Sequence, residues 1–231
     1  MIPILMYHRL GAVPCRSNKF RNQYVPPKMF ARQMKYLFKH GYQTISAKDL
    51  INYTEQQMLV KDKKICITFD DGYESFYTYG FPVLQKYNFT AIVFLVASYI
   101  NRTCLNDSDS EPMLKTEQIK EMAEAGIDFG SHSFSHRSLT KLDAEELEKE
   151  VKESKTVLEK LLGKQIESFC YPHGAFNETV KKIVQQYYKA AFSTKEGVSD
   201  IRGFALPRID INKDRILPVF IYLLWEARRR K

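Results

Sequence analysis

The sequence predicts an α/β fold built on a parallel sheet. Three observations support this prediction: short apolar, β-prone runs alternate with segments of helical periodicity, glycines and capping residues punctuate them, and no linker or composition break divides the 231 residues. Repeated βα units of this kind produce a parallel sheet that is either open or closed into a barrel. We therefore expect a single domain spanning residues 1–231.

Strands and helices alternate in the first half of the chain. Residues 3–7 are predicted to form a short apolar strand, and the helix that follows ends before Gly41. Residues 65–69 form a β-prone run, a second helix begins near Pro82, and residues 91–96 have the continuous apolar character of a buried parallel strand. The first helix is indicated by apolar residues at helical spacing: Phe30, Met34, Leu37 and Phe38.

The same alternation continues in the second half. Thr116 is the expected N-cap of a helix that stops at Gly126. A capping-box pattern at residues 143–146 opens the clearest helix, which runs to Gly163 and whose Glu and Lys face is expected to be solvated. Its inner stripe comprises Leu147, Val151, Ser154, Leu158 and Leu161. The remaining elements are predicted strands at residues 127–129, 168–171 and 190–193, and a helix at residues 177–188.

Composition and charge argue against two function classes. The formal net charge is +8, but the lysines are spread over predicted helix surfaces among balancing glutamates, and no nucleic-acid-binding motif accompanies them. We therefore expect no nucleic-acid partner. The apolar run at residues 216–225 is too short to span a bilayer. The basic tail at residues 225–231 is compatible with peripheral contact with an anionic membrane face or simply with solvation.

The cysteines and the first residues bear on the cellular compartment. Cys15, Cys66, Cys104 and Cys170 show no C-x-x-C spacing, so reduced thiols are expected, with a bridge between the loop residues Cys15 and Cys104 as the alternative. No basic and apolar leader precedes residue 3. The expected location is the cytoplasm or the cytoplasmic membrane face, or the cell envelope if a signal peptide has been removed.

Two adjacent carboxylates stand at the end of the predicted strand at residues 65–69. Asp70 and Asp71 belong to the pentapeptide T-F-D-D-G, and a strand end that opens into a glycine turn can direct both toward one cavity. One carboxylate could then bind a metal while the other handles protons. Turn formation alone is the alternative reading of an Asp pair before glycine.

Two histidines follow a later predicted strand, at residues 127–129. His132 and His136 are four residues apart, which makes them neighbours on one helical turn, although a capped loop would also explain their setting. Because strand ends of an α/β fold converge on one face, the carboxylates and imidazoles are expected to meet. One carboxylate with two histidines forms a metal triad that leaves coordination positions open.

The motifs T-F-D-D-G and H-S-x-x-H resemble the first two motifs of the polysaccharide deacetylases, carbohydrate esterase family 4, also known as the NodB or chitooligosaccharide-deacetylase homology domain. P-I-L-M-Y-H at residues 3–8 and F-C-Y-P-H-G at residues 169–174 are similar to the branch that deacetylates poly-N-acetylglucosamine and related envelope glycans. The resemblance extends from residue 3 to about residue 210. It implies a closed, irregular (β/α)7 barrel, a deformed form of the TIM barrel.

The resemblance also implies a division of roles between the motif residues. Asp71, His132 and His136 would hold one divalent metal ion, and Asp70 would act as the general base. A ligand set of two histidines and one aspartate suits zinc, and nickel, cobalt or iron are chemically acceptable.

The general acid departs from the wider family pattern. That family places a histidine in a C-terminal Leu-x-His motif, but the last quarter of this chain contains no histidine. His8, which matches the Tyr-His pair of the similar branch, is the expected acid, and Asp210 is a candidate to orient it. Cys170 stands where the third motif usually carries an arginine, so Arg208 is expected to pair with Asp70 instead.

Several residues are candidates for substrate binding. The backbone N–H of Tyr171, exposed by a turn containing Pro172, is a candidate oxyanion donor, and His173 could line the groove. Tyr24 is a candidate for stacking against a sugar. The polar, aperiodic stretch at residues 99–115 is expected to form a loop over the site.

The leading functional hypothesis is a metal-dependent N-deacetylase. Its substrate would be a glycan containing N-acetylhexosamine, or a lipid-linked or nucleotide-linked precursor of such a glycan. The alternatives are another metallohydrolase on the same scaffold, acting on linear amides, cyclic imides or O-acetyl esters, and a non-catalytic glycan-binding module. The complete set of metal and proton-transfer residues argues against the last alternative.

Overall fold

The computed structural model of the protein describes residues 2–55, 63–103, 111–197 and 204–229. The strands in these residues are β1 (Ile4–Tyr7), β2 (Arg9–Leu10), β3 (Tyr24–Val25), β4 (Gln43–Thr44), β5 (Lys64–Phe69), β6 (Ile92–Leu95), β7 (Asp128–Ser131), β8 (Ser168–Cys170), β9 (Ala190–Glu196) and β10 (Leu206–Asp210). The helices are α1 (Pro27–Lys39), α2 (Ala47–Glu55), α3 (Phe81–Lys86), α4 (Thr116–Glu124), α5 (Ala144–Leu162), α6 (Glu178–Tyr187) and α7 (Leu217–Arg229).

Seven parallel strands close into a barrel, which confirms the predicted fold. Their order is β1-β10-β9-β8-β7-β6-β5, and β1 closes the ring by pairing with both β10 and β5. Leu5 of β1 is in register with Ile209 on one side and Ile67 on the other. Strand β4 extends the sheet beyond β5, and β2 and β3 form a separate parallel pair.

Local sequence signals account for most helix ends. Asp143 caps α5 by accepting a hydrogen bond from the backbone N–H of Glu146 (2.8 Å), and Gly163 ends the helix in the left-handed region at φ 64°. Thr116 proved to be the first residue of α4 rather than its N-cap. The side chain of Asn101 accepts a hydrogen bond from its backbone N–H (2.9 Å).

The core has two parts, separated by the alternation of side chains along the strands. The larger part packs the outward-facing strand residues against the helices and includes Tyr7, Ile67 and Phe69. The smaller part fills the barrel with the intervening residues, including Cys66 and Phe94. Because Asp70 has the same parity on the chain as Cys66, its carboxylate enters the barrel instead of facing the helices.

No helix of the described residues has the length and apolar character needed to cross a membrane. Among those residues, Cys15, Cys66 and Cys170 are free thiols. Cys104 lies outside the described residues, and so does the pairing with Cys15 named above as an alternative.

Candidate active site

The C-terminal ends of the barrel strands bring the candidate catalytic residues together. His8 follows β1, Asp70 and Asp71 follow β5, and His132 follows β7. Arg208 lies within β10 and points into the barrel, where its side chain is fully buried. Parallel strands end at the same rim, so residues far apart in sequence share one cavity.

The backbone at the end of β5 separates the two aspartates. Asp70 continues the strand, and its N–H donates a hydrogen bond to the carbonyl of Tyr7 (2.9 Å). Asp71 then adopts φ 71°, a left-handed conformation that is strained for a residue with a side chain, and Gly72 follows at φ 79°. The reversal directs the two neighbouring carboxylates to different partners.

Asp71 lies between the two motif histidines. Its Oδ1 atom is 3.4 Å from His132 Nε2 and 3.4 Å from His136 Nε2. The three ligand atoms all lie within 4.8 Å of one another. Two imidazole nitrogens and one carboxylate oxygen are the donor set of a catalytic zinc site, and the described residues around them therefore fit a divalent ion.

The ring of His132 is held in the orientation that a metal ligand needs. Its Nδ1 lies 2.7 Å from the backbone carbonyl of Cys170, so Nδ1 carries a proton and Nε2 faces Asp71. His132 is almost entirely buried. Strand β8 therefore orients a ligand that β7 supplies.

The surroundings of the site keep Asp71 ionised and shift the pKa values of His132 and His136 in opposite directions. Burial alone would raise the pKa of Asp71, but His132 and the neighbouring imidazoles hold it far below its usual range. Burial and the proximity of His132 lower the pKa of His136 to about 4. Burial opposes protonation of His132 as well, but Cys170 and Asp71 raise its pKa well above the ordinary value.

A buried glutamate anchors the loop between the two histidines. Glu150 of α5 accepts hydrogen bonds from the backbone N–H groups of Phe134 (3.0 Å) and Ser135 (2.9 Å), and from the Ser135 hydroxyl. The expectation that the Glu and Lys face of α5 is solvated is therefore wrong at this position. The signal was present: Glu150 lies three residues after Leu147 and four before Ser154, within the inner stripe.

Asp70 is engaged on both carboxylate oxygens by Arg208. The two guanidinium nitrogens lie 2.7 Å from Oδ1 and 2.7 Å from Oδ2, and both side chains are almost fully buried. Burial alone would raise the pKa of Asp70, but Arg208 lowers it and keeps the carboxylate ionised. The pairing expected between these residues is present in the structure.

Three further groups hold Arg208 in place. Its Nε donates to the carbonyl of Ser193 (2.9 Å), one terminal nitrogen donates to the Thr68 hydroxyl (3.0 Å), and the other approaches Cys170 Sγ (3.1 Å). Sequence reasoning did not identify Thr68, although its inward parity with Asp70 was a usable signal. The family pattern places an arginine at the position of Cys170. Here the arginine lies on another strand, and the sulfur of Cys170 accepts a contact from it.

A second set of possible metal ligands comprises Asp70, His132 and Cys170. Here the Arg208 guanidinium contacts both the Asp70 carboxylate and the Cys170 sulfur. A cation placed among these atoms would lie against a permanent positive charge. Among the residues that the structure describes, no guanidinium contact with Asp71 or His136 is found, so the set built on Asp71 is the better candidate.

His8 lies beside Asp70 at the same rim of the barrel. Its Nε2 is 3.9 Å from Asp70 Oδ2, and 14% of its side chain is exposed, so substrate can reach it. Asp210, the candidate to orient it, instead accepts a hydrogen bond from the side chain of Asn212 (2.7 Å). Within the described residues, no hydrogen bond joins Asp210 to His8.

Two of the expected binding groups are not available to substrate. The backbone N–H of Tyr171 donates a hydrogen bond to the carbonyl of Phe192 (3.0 Å) in the neighbouring strand, so it is not free to act as an oxyanion donor. Pro172 is buried and begins a short 3-10 turn, Pro172–Gly174. His173 is exposed on this turn, and its ring lies 4.5 Å from that of His136, where it can line the groove.

Tyr24 is also unsuited to the stacking role expected of it. Only 5% of the residue is exposed, its hydroxyl donates to Glu111 (2.8 Å), and the Arg9 guanidinium lies 5.4 Å from its ring centroid. The ring is therefore covered by protein.

For the loop expected over the site, residues 104–110 lie outside the described residues. The C-terminal end of this loop is described and lies next to the site, because the backbone N–H of Leu114 donates a hydrogen bond to the carbonyl of Gly72 (2.8 Å).

Comparisons with known proteins agree with this geometry. The family model for polysaccharide deacetylase matches residues 58–191. YxkH of Bacillus subtilis, which bears a polysaccharide deacetylase name, is 33% identical over 214 residues, covering 91% of this chain and 71% of its own. The poly-beta-1,6-N-acetyl-D-glucosamine N-deacetylase of Staphylococcus epidermidis is 29% identical over 210 residues, covering 86% of this chain and 71% of its own.

A solved structure shows the same fold. The deacetylase PplD of Streptococcus pyogenes, in complex with acetate, superposes with a TM-score of 0.86 and 28% sequence identity, covering 96% of this chain and 97% of its own. The barrel and its rim of aspartates and histidines define a hydrolase that deacetylates a glycan. The chain belongs to the polysaccharide deacetylase family.

Metal binding is expected to release a proton and to strengthen as the pH rises. The raised pKa of His132 means that the metal-free protein holds a proton there, which an incoming ion must displace. Zinc titration calorimetry in two buffers with different ionisation enthalpies measures the released proton. An affinity that does not change with pH across the neutral range would contradict this assignment.

Replacing Glu150 with alanine is expected to weaken zinc binding about tenfold, because the loop between the ligands loses its anchor. Glu153→Ala on the same helix is the matched control, since 44% of the Glu153 side chain is exposed and its partner Lys149 is 4.0 Å away. Competition with a chromogenic chelator measures both affinities. Equal losses in the two variants would remove Glu150 from a positioning role.

Proposed function

We propose that this protein is a metal-dependent N-deacetylase that acts on a glycan containing N-acetylhexosamine, or on a lipid-linked or nucleotide-linked precursor of such a glycan. The observation that carries the proposal is the separation of the two adjacent aspartates. Asp71 faces two histidines, whereas Asp70 is paired with Arg208 and lies 3.9 Å from His8. Amide hydrolysis by a metal-activated water uses both a metal centre and proton-transfer groups, and each carboxylate would serve one of these two roles.

Asp71, His132 and His136 would hold the ion, with zinc the best match to the donor set. When bound, the ion would supply Lewis acidity that polarises the acetyl carbonyl and acidifies the attacking water. Asp70 accepts the proton from that water, and Arg208 keeps its carboxylate ionised and correctly oriented. The low pKa of Asp70 makes it a weak base, which suits an acidified nucleophile.

His8 completes the proton path. An amine is a poor leaving group unless its nitrogen is protonated as the C–N bond breaks, and imidazole can supply that proton near neutral pH. The partial exposure of His8 leaves its ring accessible to substrate, next to Asp70. His173, which borders His136, is proposed to contact the sugar.

The substrate class rests on the relatives and the reaction chemistry. One relative is named as a deacetylase of poly-beta-1,6-N-acetyl-D-glucosamine, which supports an N-acetylated amino sugar as the substrate here. The direct test is acetate release from N-acetylglucosamine oligomers by metal-stripped protein, with and without zinc, cobalt or nickel. Absence of release with the metal bound would contradict this substrate.

Asp70→Asn is expected to keep the metal and to lower kcat by at least about a hundredfold, because it removes the general base. His132→Ala is expected to lose metal and activity together. Metal content and acetate release are measured for both, with thermal unfolding alongside, since Asp70→Asn leaves the buried Arg208 charge uncompensated. Loss of metal from a folded Asp70→Asn protein would show that the two aspartates have been assigned the wrong roles.

His8→Ala is expected to slow amide hydrolysis by about a hundredfold while sparing an activated acetyl ester, whose leaving group departs without a proton. The ratio of the two kcat/KM values measures the effect. His40→Ala is the control. His40 is exposed at the C-terminal end of α1 and belongs to none of the motifs that form the site. An equal loss on amide and ester would exclude His8 as the general acid.

A further inference from the structure

The outward face of α7 is unusual for a helix on the wall of a barrel. Phe220, Leu224 and Ala227 are buried against the core, as an amphipathic helix requires. The opposite face, however, carries Tyr222 and Trp225, which are 57% and 51% exposed. On an ordinary solvated helix those positions hold charged or polar residues.

The exposed aromatic residues are clustered. Six large apolar side chains are exposed in the described part of the chain, and three of them, Ile216, Tyr222 and Trp225, lie on α7 or directly before it. The rings of Tyr222 and Trp225 are 6.0 Å apart. They lie three residues apart in a helix, so they form one continuous surface stripe.

Basic residues complete this stripe. The guanidinium of Arg229 lies 4.4 Å from the centroid of the Trp225 ring, four residues earlier on the same face. Arg228 is exposed beside it, and the sequence continues with Arg230 and Lys231, which lie outside the described residues. The helix therefore joins interfacial aromatic residues to a local excess of positive charge.

We propose that this α7 surface, formed by Ile216, Tyr222, Trp225, Arg228 and Arg229, docks the enzyme on an anionic lipid bilayer. Tyrosine and tryptophan rings are stable at the level of the headgroups, where one part of the ring is in apolar surroundings and the other is hydrated. Arg229 on the same face, and the exposed Arg228 at its edge, match the negative charge of anionic lipids. This charge complementarity favours a membrane over a neutral glycan.

Docking through α7 would orient the active site. The helix starts after β10, at the rim that carries the site, and Arg228 near its other end lies 5.9 Å from the ring of Tyr42, which directly precedes β4. The helix thus runs along the barrel wall between its two rims. A bilayer against that wall would leave the active-site mouth open at the membrane edge, within reach of a glycan that emerges from the surface.

The single tryptophan of the chain provides a direct readout. With vesicles of equal parts phosphatidylglycerol and phosphatidylcholine, Trp225 emission is expected to shift to shorter wavelength and to be quenched by brominated acyl chains. Vesicles of phosphatidylcholine alone should give neither effect, and added salt should weaken both. An unchanged emission spectrum with the anionic vesicles would overturn the proposal.

Charge-reversal variants test the contribution of the arginines. The pair Arg228→Glu and Arg229→Glu is expected to weaken vesicle binding by more than about tenfold. The pair Lys181→Glu and Lys182→Glu on α6 changes net charge equally and should bind as the parent protein does. Equal weakening by the two pairs would show that only net charge matters and would overturn the α7 surface.

Other occupants of the surface are distinguished in the same experiment. A blue shift of Trp225 without lipid, accompanied by dimer formation in sedimentation velocity, would show that a second copy covers the surface instead. A shift with soluble N-acetylglucosamine oligomers would show a glycan surface. Tyr222→Ser retains the reporter and should reduce vesicle binding while acetate release from soluble oligomers is unchanged, so this test is independent of the proposed catalytic function.

Discussion

The ion pair between Asp70 and Arg208 is the interaction on which the rest of the site depends. Two fully formed charges are buried inside the barrel, and such burial is tolerated only when every charged atom has a partner. The bidentate contact supplies those partners, and Ser193, Thr68 and Cys170 complete the shell around the guanidinium. The pair also spans the point where β1 closes the ring between β5 and β10, so one contact links these strands and orients the Asp70 carboxylate.

The second constraint is the strained backbone at Asp71. A regular strand would send adjacent side chains to opposite faces, one into the barrel and one toward the helices. The left-handed conformation of Asp71 turns its carboxylate toward the histidines instead, while Asp70 remains inside the barrel. A conformational strain of about 1–3 kcal/mol is typical of such a residue, and here it accompanies the separation of the two carboxylates on which the proposed roles depend.

The supporting elements around the metal group show how the barrel orients its ligands. Strand β8 orients His132 through a carbonyl, and α5 anchors the loop before His136 through Glu150. In both contacts the accepting group, the carbonyl of Cys170 or the carboxylate of Glu150, lies outside the two family motifs. The α7 surface lies on the barrel wall, away from these contacts, so binding at the membrane and chemistry at the rim can be altered separately.

The sequence alone was sufficient for the alternating βα architecture, the capped ends of α5, and the two motifs that contain the metal and base candidates. These features depend on local periodicity, capping and residue spacing, which neighbouring residues in the chain encode. The resemblance to a known family supplied the closed barrel, and the departure from its arginine position led to the expectation that Arg208 pairs with Asp70. Only the tertiary structure decided that Tyr24 is covered, that the N–H of Tyr171 is consumed by the sheet, and that Glu150 is buried beneath a ligand loop. Each of these outcomes depends on a partner distant in sequence, and burial and hydrogen-bond pairing between distant segments leave little trace in a local pattern.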